Sequence, residues 1–215
     1  MSAMNLHVSS FSHVGGRESN EDTVLADGPV YAVCDGMGGH EAGEVASALC
    51  ASTLEGSYAA LTSVRTTPKK ALELAMHAAN TVVYNESNGN GMGTTCTAIA
   101  FANNGKKAFL AHVGDSRAYL CRAGEAPRQV TRDHRVQIDG RTFLSEVVGR
   151  TDTHIDYKEL AIDPGDSIFL CSDGVWEVAD IAELVANDSS LENALETVLS
   201  RNPQDNVSGI LIRVA

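Results

Sequence analysis

Cysteine is scarce in this 215-residue chain and badly arranged for bridging. There are five, at positions 34, 50, 96, 121 and 171. An odd count without a CxxC pair argues against a disulfide framework or a zinc knuckle and for a reducing, cytosol-like compartment. Most of them fall in apolar, strand-like runs, where a free thiol behaves as a small hydrophobe. Long hydrophobic runs are missing too: nothing approaches the roughly 18 apolar residues of a membrane helix. The opening MSAMNLHVSSF has neither a basic start nor an apolar core, so it does not read as a secretory signal. Positive charge is in deficit, with 16 Lys and Arg against 28 Asp and Glu and a net charge of -12. That argues against nucleic acid, whose phosphates need a basic partner surface. The resulting expectation is a cytoplasmic monomer with no membrane or nucleic-acid partner. It is a single domain, 1–215, long enough to bury a core without staples.

Two stretches carry apolar residues at helical spacing. One is 41–61, with Val45, Ala46, Leu49, Cys50 and Leu54. The other is 68–84, with Ala71, Leu72, Ala75, Met76, Ala79 and Val83, and with Pro68 suited to a first turn. A third, shorter helix is predicted over 191–199, ending near Asn202 and Pro203. The strand candidates are 6–13, 23–25, 30–34, 95–101, 107–113, 117–121, 155–160, 167–171 and 207–214, rich in β-branched residues and bounded by Gly, Asn, Asp or Pro. Strands, two helices, many strands, one helix and a last strand do not make a regular βαβα alternation. The order predicts an α+β fold, two antiparallel sheets with helices outside.

The acidic residues are placed unevenly. Asp35-Gly36 follows the strand at 30–34, and Asp173-Gly174 follows 167–171 with only Ser172 between. Asp115, preceded by Gly114, separates two strands; Glu21-Asp22 precedes the second strand and Asp205 the last. Asp and Gly are common turn formers, and one such pair means little. Five or six together, with DGMGGH running straight into a helix, are harder to explain as turns. Carboxylates gathered at one end of a sandwich repel one another unless a cation holds them. An oxygen-only donor set selects hard ions such as magnesium or manganese over zinc.

The motifs RESNED (17–22), DGMGGH (35–40), GMGTT (91–95), VGDSRAY (113–119), TRDH (131–134), CSDGVW (171–176) and DNVS (205–208) occur in this order. Together they resemble the metal-dependent protein phosphatases of type 2C, in their bacterial form. The resemblance covers almost the whole chain. It implies a four-layer α-β-β-α sandwich and hydrolysis of phosphoserine and phosphothreonine by a water activated between two Mn2+ or Mg2+ ions, without a covalent intermediate. By the same resemblance Asp35 bridges both metals, Gly36 offers its carbonyl to one, and Asp173 and Asp205 ligate the other. Glu21 and Asp22 hold metal-bound waters, Asp115 serves a third, weaker ion, and Arg17 grips the substrate phosphate. The implied partner is a phosphorylated protein, a serine/threonine kinase or its targets.

Two departures from the family pattern stand out. Animal members carry histidine directly after the Asp-Gly, where this chain has Met37; His40 is the candidate general acid, and a helix start explains it equally well. The segment 134–149 is a shortened flap, ending in LSEVVG, which leaves substrate choice open and Asp139 as a candidate for assisting the third ion. A hydrolase of small phosphate esters and a catalytically inactive regulatory domain are the alternative readings. His134 is expected to pair with Asp133 or the backbone, and Trp176 to anchor the core.

Overall fold

Strands that are apolar at consecutive positions must be covered on both faces, and the computed structural model does this with four layers. It describes residues 5–38, 42–89, 91–102, 105–186 and 191–215. In chain order the elements are β1 (Leu6–His13), β2 (Asp22–Leu25), β3 (Val30–Met37), α1 (Ala42–Ser63), α2 (Pro68–Ser87), β4 (Gly93–Thr94), β5 (Cys96–Phe101), β6 (Lys107–Val113) and β7 (Arg117–Cys121). There follow β8 (Arg128–Gln129), β9 (Arg135–Ile138), β10 (Arg141–Leu144), β11 (Asp156–Ala161), β12 (Ser167–Cys171), α3 (Asp173–Trp176), α4 (Ile181–Leu184), α5 (Leu191–Ser200) and β13 (Val207–Val214). One sheet runs β1-β13-β12-β7-β8 and the other β11-β6-β5-β3-β2, with β4 attached to β3. Every pairing among the described residues is antiparallel. The α+β sandwich expected from element order is the fold observed.

Strand alternation sorts side chains between layers. Along β3, Tyr31 and Val33 point between the sheets, where they meet Ile99, Leu110, Ile168, Leu170, Ile210 and Ile212. Val30, Ala32 and Cys34 point the other way, into a core shared with α1 and α2. Along β12, Phe169 and Cys171 face Ile181, Leu184, Leu191 and Val198 of the helices on the far side. Gly209 is required here: a side chain at that position would come within 2.8 Å of the Phe11 ring and 3.1 Å of the Phe169 ring. Helix α2 starts as its sequence predicts. Thr67 caps it, accepting from the Lys70 N–H at 3.4 Å, and Pro68 occupies the first turn. Among the described residues no helix is long and apolar enough to cross a membrane.

The largest difference from the sequence reading lies where little is buried. The hairpin β9–β10 sits apart from both sheets. Its turn residues Asp139 and Gly140 have φ of 50° and 75°, the left-handed pair that a two-residue Asp-Gly hairpin loop requires. Val136, Ile138 and Phe143 remain exposed, so no apolar/polar alternation advertises these strands. Asp173-Gly174 opens the four-residue helix α3 instead of a plain turn, a span too short to show a period.

Leu170 is fully buried between the sheets. Leu170→Ala is expected to lower stability by about 2–5 kcal/mol, read as a fall in urea midpoint with unchanged slope.

Candidate active site

The acidic residues are brought together by the ends of strands from both sheets. Strand β3 carries Asp35, with Asp22 of β2 directly opposite. The Asp35 backbone is pinned on both sides. Its N–H donates to the Thr95 hydroxyl at 3.0 Å, and its carbonyl accepts from the Thr95 N–H at 2.8 Å and the Thr94 hydroxyl at 2.9 Å. Thr95 is held in turn by the Ser116 hydroxyl at 2.6 Å. The next residue is glycine because three backbones meet there: a Cβ on Gly36 would run into the carbonyl oxygens of Gly43 and Glu21. Asp115 follows Gly114, whose φ of 103° admits little but glycine.

Asn206 joins the N-terminal loop to the other sheet. Its side-chain oxygen accepts from the Glu21 N–H at 2.9 Å, and its side-chain nitrogen donates to the carbonyls of Val14 and Ser19 at 2.9 and 2.8 Å. Its own N–H donates to Asp205 at 2.8 Å. This clip fixes Arg17, Glu21 and Asp205 relative to one another. Arg17 donates to Asp205 at 2.6 Å. Ser172, just before Asp173, donates to Asp22 at 2.9 Å and accepts from the Ser208 N–H at 3.0 Å.

The result is a cleft of about 820 Å³ lined by Arg17, Glu21, Asp35, Gly36, Asp115, Asp173 and Asp205, with Arg135, Glu177 and Phe143 on its rim. Asp22 lies behind Asp35 and is not part of the lining. His40 lies outside the described residues. Asp139 sits in the hairpin turn, away from the cleft wall.

Crowding shows in the acid strengths. Burial first, then Asp115, Asp205 and Glu177, pushes Asp173 up to about 7, against a pull downward from Arg135. Burial lifts Asp22 to about 6, opposed by hydrogen bonds from Ser208 and Ser172. Asp35 is raised well above the ordinary range, by burial and then by Asp22, Asp173, Asp115 and Asp205. Two buried oxygens, Oδ1 of Asp22 and Oδ1 of Asp173, have no hydrogen-bond partner. Unpartnered buried carboxylate oxygens are costly, and these belong to an all-oxygen set of the kind that holds hard divalent cations.

Sequence reasoning missed Arg135. From β9 its guanidinium reaches Asp115 at 2.5 Å, Asp173 at 3.4 Å and Glu177 at 3.0 Å. Trp176 packs against the core of Phe169, Val175 and Leu184, as expected, and is also a platform: the guanidiniums of Arg117 and Arg135 lie 3.4 and 4.6 Å from its ring centre. Its N–H donates to the Asp115 carbonyl at 3.0 Å. His134 pairs with the backbone, as expected, and not with Asp133. It accepts from the Gly114 N–H at 3.1 Å and meets Asp156 at 3.2 Å, while Asp133 is taken by Arg117 at 2.7 Å. His112 is buried beside His134 with ring centres 4.8 Å apart. No local signal in the sequence marks these long-range pairings.

Because Asp173 holds its proton far more tightly folded than unfolded, the folded chain binds the extra proton between about pH 4 and 7, and stability is lost as pH rises through that window. His112, buried neutral and lowered to about 4, acts in the opposite sense up to its ordinary value. The expected signature is therefore a difference. In metal-free protein, Asp173→Asn should stabilise little near pH 4 and most above pH 7, by on the order of a few kcal/mol. Thermal melts of both proteins across pH measure it; a gain that shrinks as pH rises contradicts it.

Comparison with known proteins agrees with this fold. The chain is 32% identical over 223 residues to the serine/threonine protein phosphatase PstP of Mycobacterium tuberculosis, covering 92% of this chain and 43% of that protein. It therefore spans less than half the length of that curated relative. Among solved structures, PppA, a regulatory component of T6SS in Pseudomonas aeruginosa, superposes with a TM-score of 0.83 at 30% identity, covering 99% of both chains. The catalytic domain of PstP in complex with two manganese ions gives a TM-score of 0.80 at 29% identity, covering all of both chains. The family model for protein phosphatase 2C matches residues 5–139, and the chain belongs to the protein phosphatase 2C family.

Proposed function

We propose that the chain is a metal-dependent phosphatase that hydrolyses phosphoserine and phosphothreonine monoesters in proteins. The observation that carries this is the cleft itself: carboxylates from both sheets converge beside an arginine, with a buried oxygen of Asp173 left unpartnered. Asp35, the Gly36 carbonyl, Asp173 and Asp205 would hold two Mn2+ or Mg2+ ions. Glu21 and Asp22 would orient their waters, and Asp115 would serve a third, weaker ion. When bound, such a pair of ions supplies positive charge to the phosphoryl oxygens and a water acidic enough to act as nucleophile at neutral pH.

The chain's own residues do the remainder. Arg17 is largely exposed, and its pair with Asp205 is of a solvent-facing kind worth ~0–1 kcal/mol. Exchanging Asp205 for a phosphate therefore costs little, and the planar guanidinium suits bidentate contact with phosphoryl oxygens. Asn206 and the Thr95–Ser116 pair keep Arg17, Asp205 and Asp35 in register, so the charges that meet the developing transition state are preorganised. His40 is the proposed proton donor to the leaving serine or threonine oxygen. The hairpin β9–β10, the shortened flap of a single 1–215 domain, leaves the cleft open enough for a phosphorylated segment of another protein. Similarity to the serine/threonine protein phosphatase PstP supports a phosphorylated protein as substrate; a cytoplasmic role opposing a bacterial serine/threonine kinase is part of the proposal.

Asp35→Asn and Asp173→Asn should each abolish manganese-stimulated release of phosphate from a phosphothreonine peptide while leaving the fold intact by circular dichroism. Full turnover in either variant would sink the assignment. Arg17→Ala should raise KM for the peptide by tenfold or so, on the scale of a lost charge-assisted hydrogen bond of about 1.4 kcal/mol or more. Faster turnover of free nucleotides or sugar phosphates than of the peptide would mark a small-ester hydrolase instead.

A further inference from the structure

Behind the acid cleft, in the core between the β3–β5 sheet and the helices, three cysteines from three elements converge. Cys34 ends the apolar run of β3, Cys50 lies on α1 and Cys96 starts β5; all three are fully buried. Their sulfur atoms lie within 4.8 Å of one another. The Cys96 thiol donates to the Met76 thioether of α2 at 3.6 Å. Ordinary packing asks only for small apolar side chains at these positions, as Ala32, Ala46 and Ala98 show nearby. Three converging thiols, one of them touching a thioether, are a donor set.

We propose that Cys34, Cys50 and Cys96, supported by Met76, form a binding site for one soft, sulfur-seeking ion, copper(I). Sulfurs bonded to a central ion at about 2.3 Å sit about 4.0 Å apart in a trigonal plane, so the observed spacing closes on an ion with small side-chain movements. Thiolate and thioether donors select soft d10 ions over the hard cations that suit the carboxylate cleft, and the thioether favours copper(I) over zinc. Each thiol that ligates releases its proton to solvent; no oxidant or reductant takes part. The position is consequential. Cys34 precedes Asp35, and Cys96 follows Thr95, which holds the Asp35 N–H. An ion here ties β3, β5 and α1 together immediately behind the residue at the centre of the cleft.

The test uses the whole chain, reduced and anaerobic, titrated with copper(I) presented as its bicinchoninate complex. One equivalent should transfer from the chelator to the wild type and to Cys121→Ala and Cys171→Ala, whose thiols lie elsewhere. Cys50→Ala and Cys96→Ala should fail to take it. Met76→Leu, which conserves volume, should weaken retention by about tenfold or more, the scale on which lost supporting groups lower metal affinity. X-ray absorption at the copper edge of the wild type, which needs no variant to fold, should show a shell of sulfur alone. No transfer, a stoichiometry that follows Cys121, a shell containing nitrogen or oxygen, or displacement of copper(I) by zinc would overturn the proposal.

Discussion

Mutual repulsion among carboxylates is the constraint around which this molecule is built. Two like charges 4 Å apart near a protein surface repel by about 4 kcal/mol; Asp22, Asp173, Asp115 and Asp205 all raise Asp35, and Asp115 and Asp205 raise Asp173. The fold contains that repulsion in three ways. Arg135 spans Asp115, Asp173 and Glu177; Arg17 takes Asp205; and Ser172 donates to Asp22. What these cannot neutralise shows as carboxyls that hold their protons more tightly than usual and as two unpartnered buried oxygens. A site that is uncomfortable without cations is a site whose cations bind with that repulsion as part of their driving force.

Such a cluster survives only on a stiff frame. The inter-sheet core of Val33, Ile99, Ile168, Leu170, Ile210 and Ile212 fixes the two sheets face to face, so strand ends cannot splay to separate their charges. Short polar links then set the fine geometry: Thr95 and Ser116 behind Asp35, and Asn206 across the N-terminal loop. The network spends buried hydrogen bonds on backbone placement and leaves the carboxylates themselves turned to the cleft. That division suits catalysis by preorganised electrostatics, where the groups must not reorganise as charge develops.

Arg135 connects this frame to the hairpin. It belongs to β9, packs near Trp176 beside Arg117, and reaches into the acid cluster. The hairpin's exposed Phe143 thus stands at the cleft, on an element that buries no side chain fully and reaches the acid cluster through one guanidinium. On the opposite side of β3 the surroundings reverse, from hard oxygen and water to sulfur and hydrocarbon within one residue. Strand alternation alone separates those two chemistries.

The sequence by itself determined the sandwich, the helices α1, α2 and α5, and the principal acids. Apolar periodicity and strand-end Asp-Gly pairs are local patterns, and β1, β6, β7, β12 and β13 fall where those patterns put them. Glu21, Asp35, Asp115, Asp173 and Asp205 were legible because each sits at a strand terminus within a motif. Tertiary structure decided what depends on distance in sequence. Arg135 reaches Glu177 across 42 positions, Asn206 reaches Glu21 across 185, and Cys34, Cys50 and Cys96 meet only when β3, β5 and α1 pack. The hairpin strands stayed hidden because they bury no face, leaving no period to read. Local sequence chooses which residues end a strand; only the register and packing of distant strands choose which ends meet.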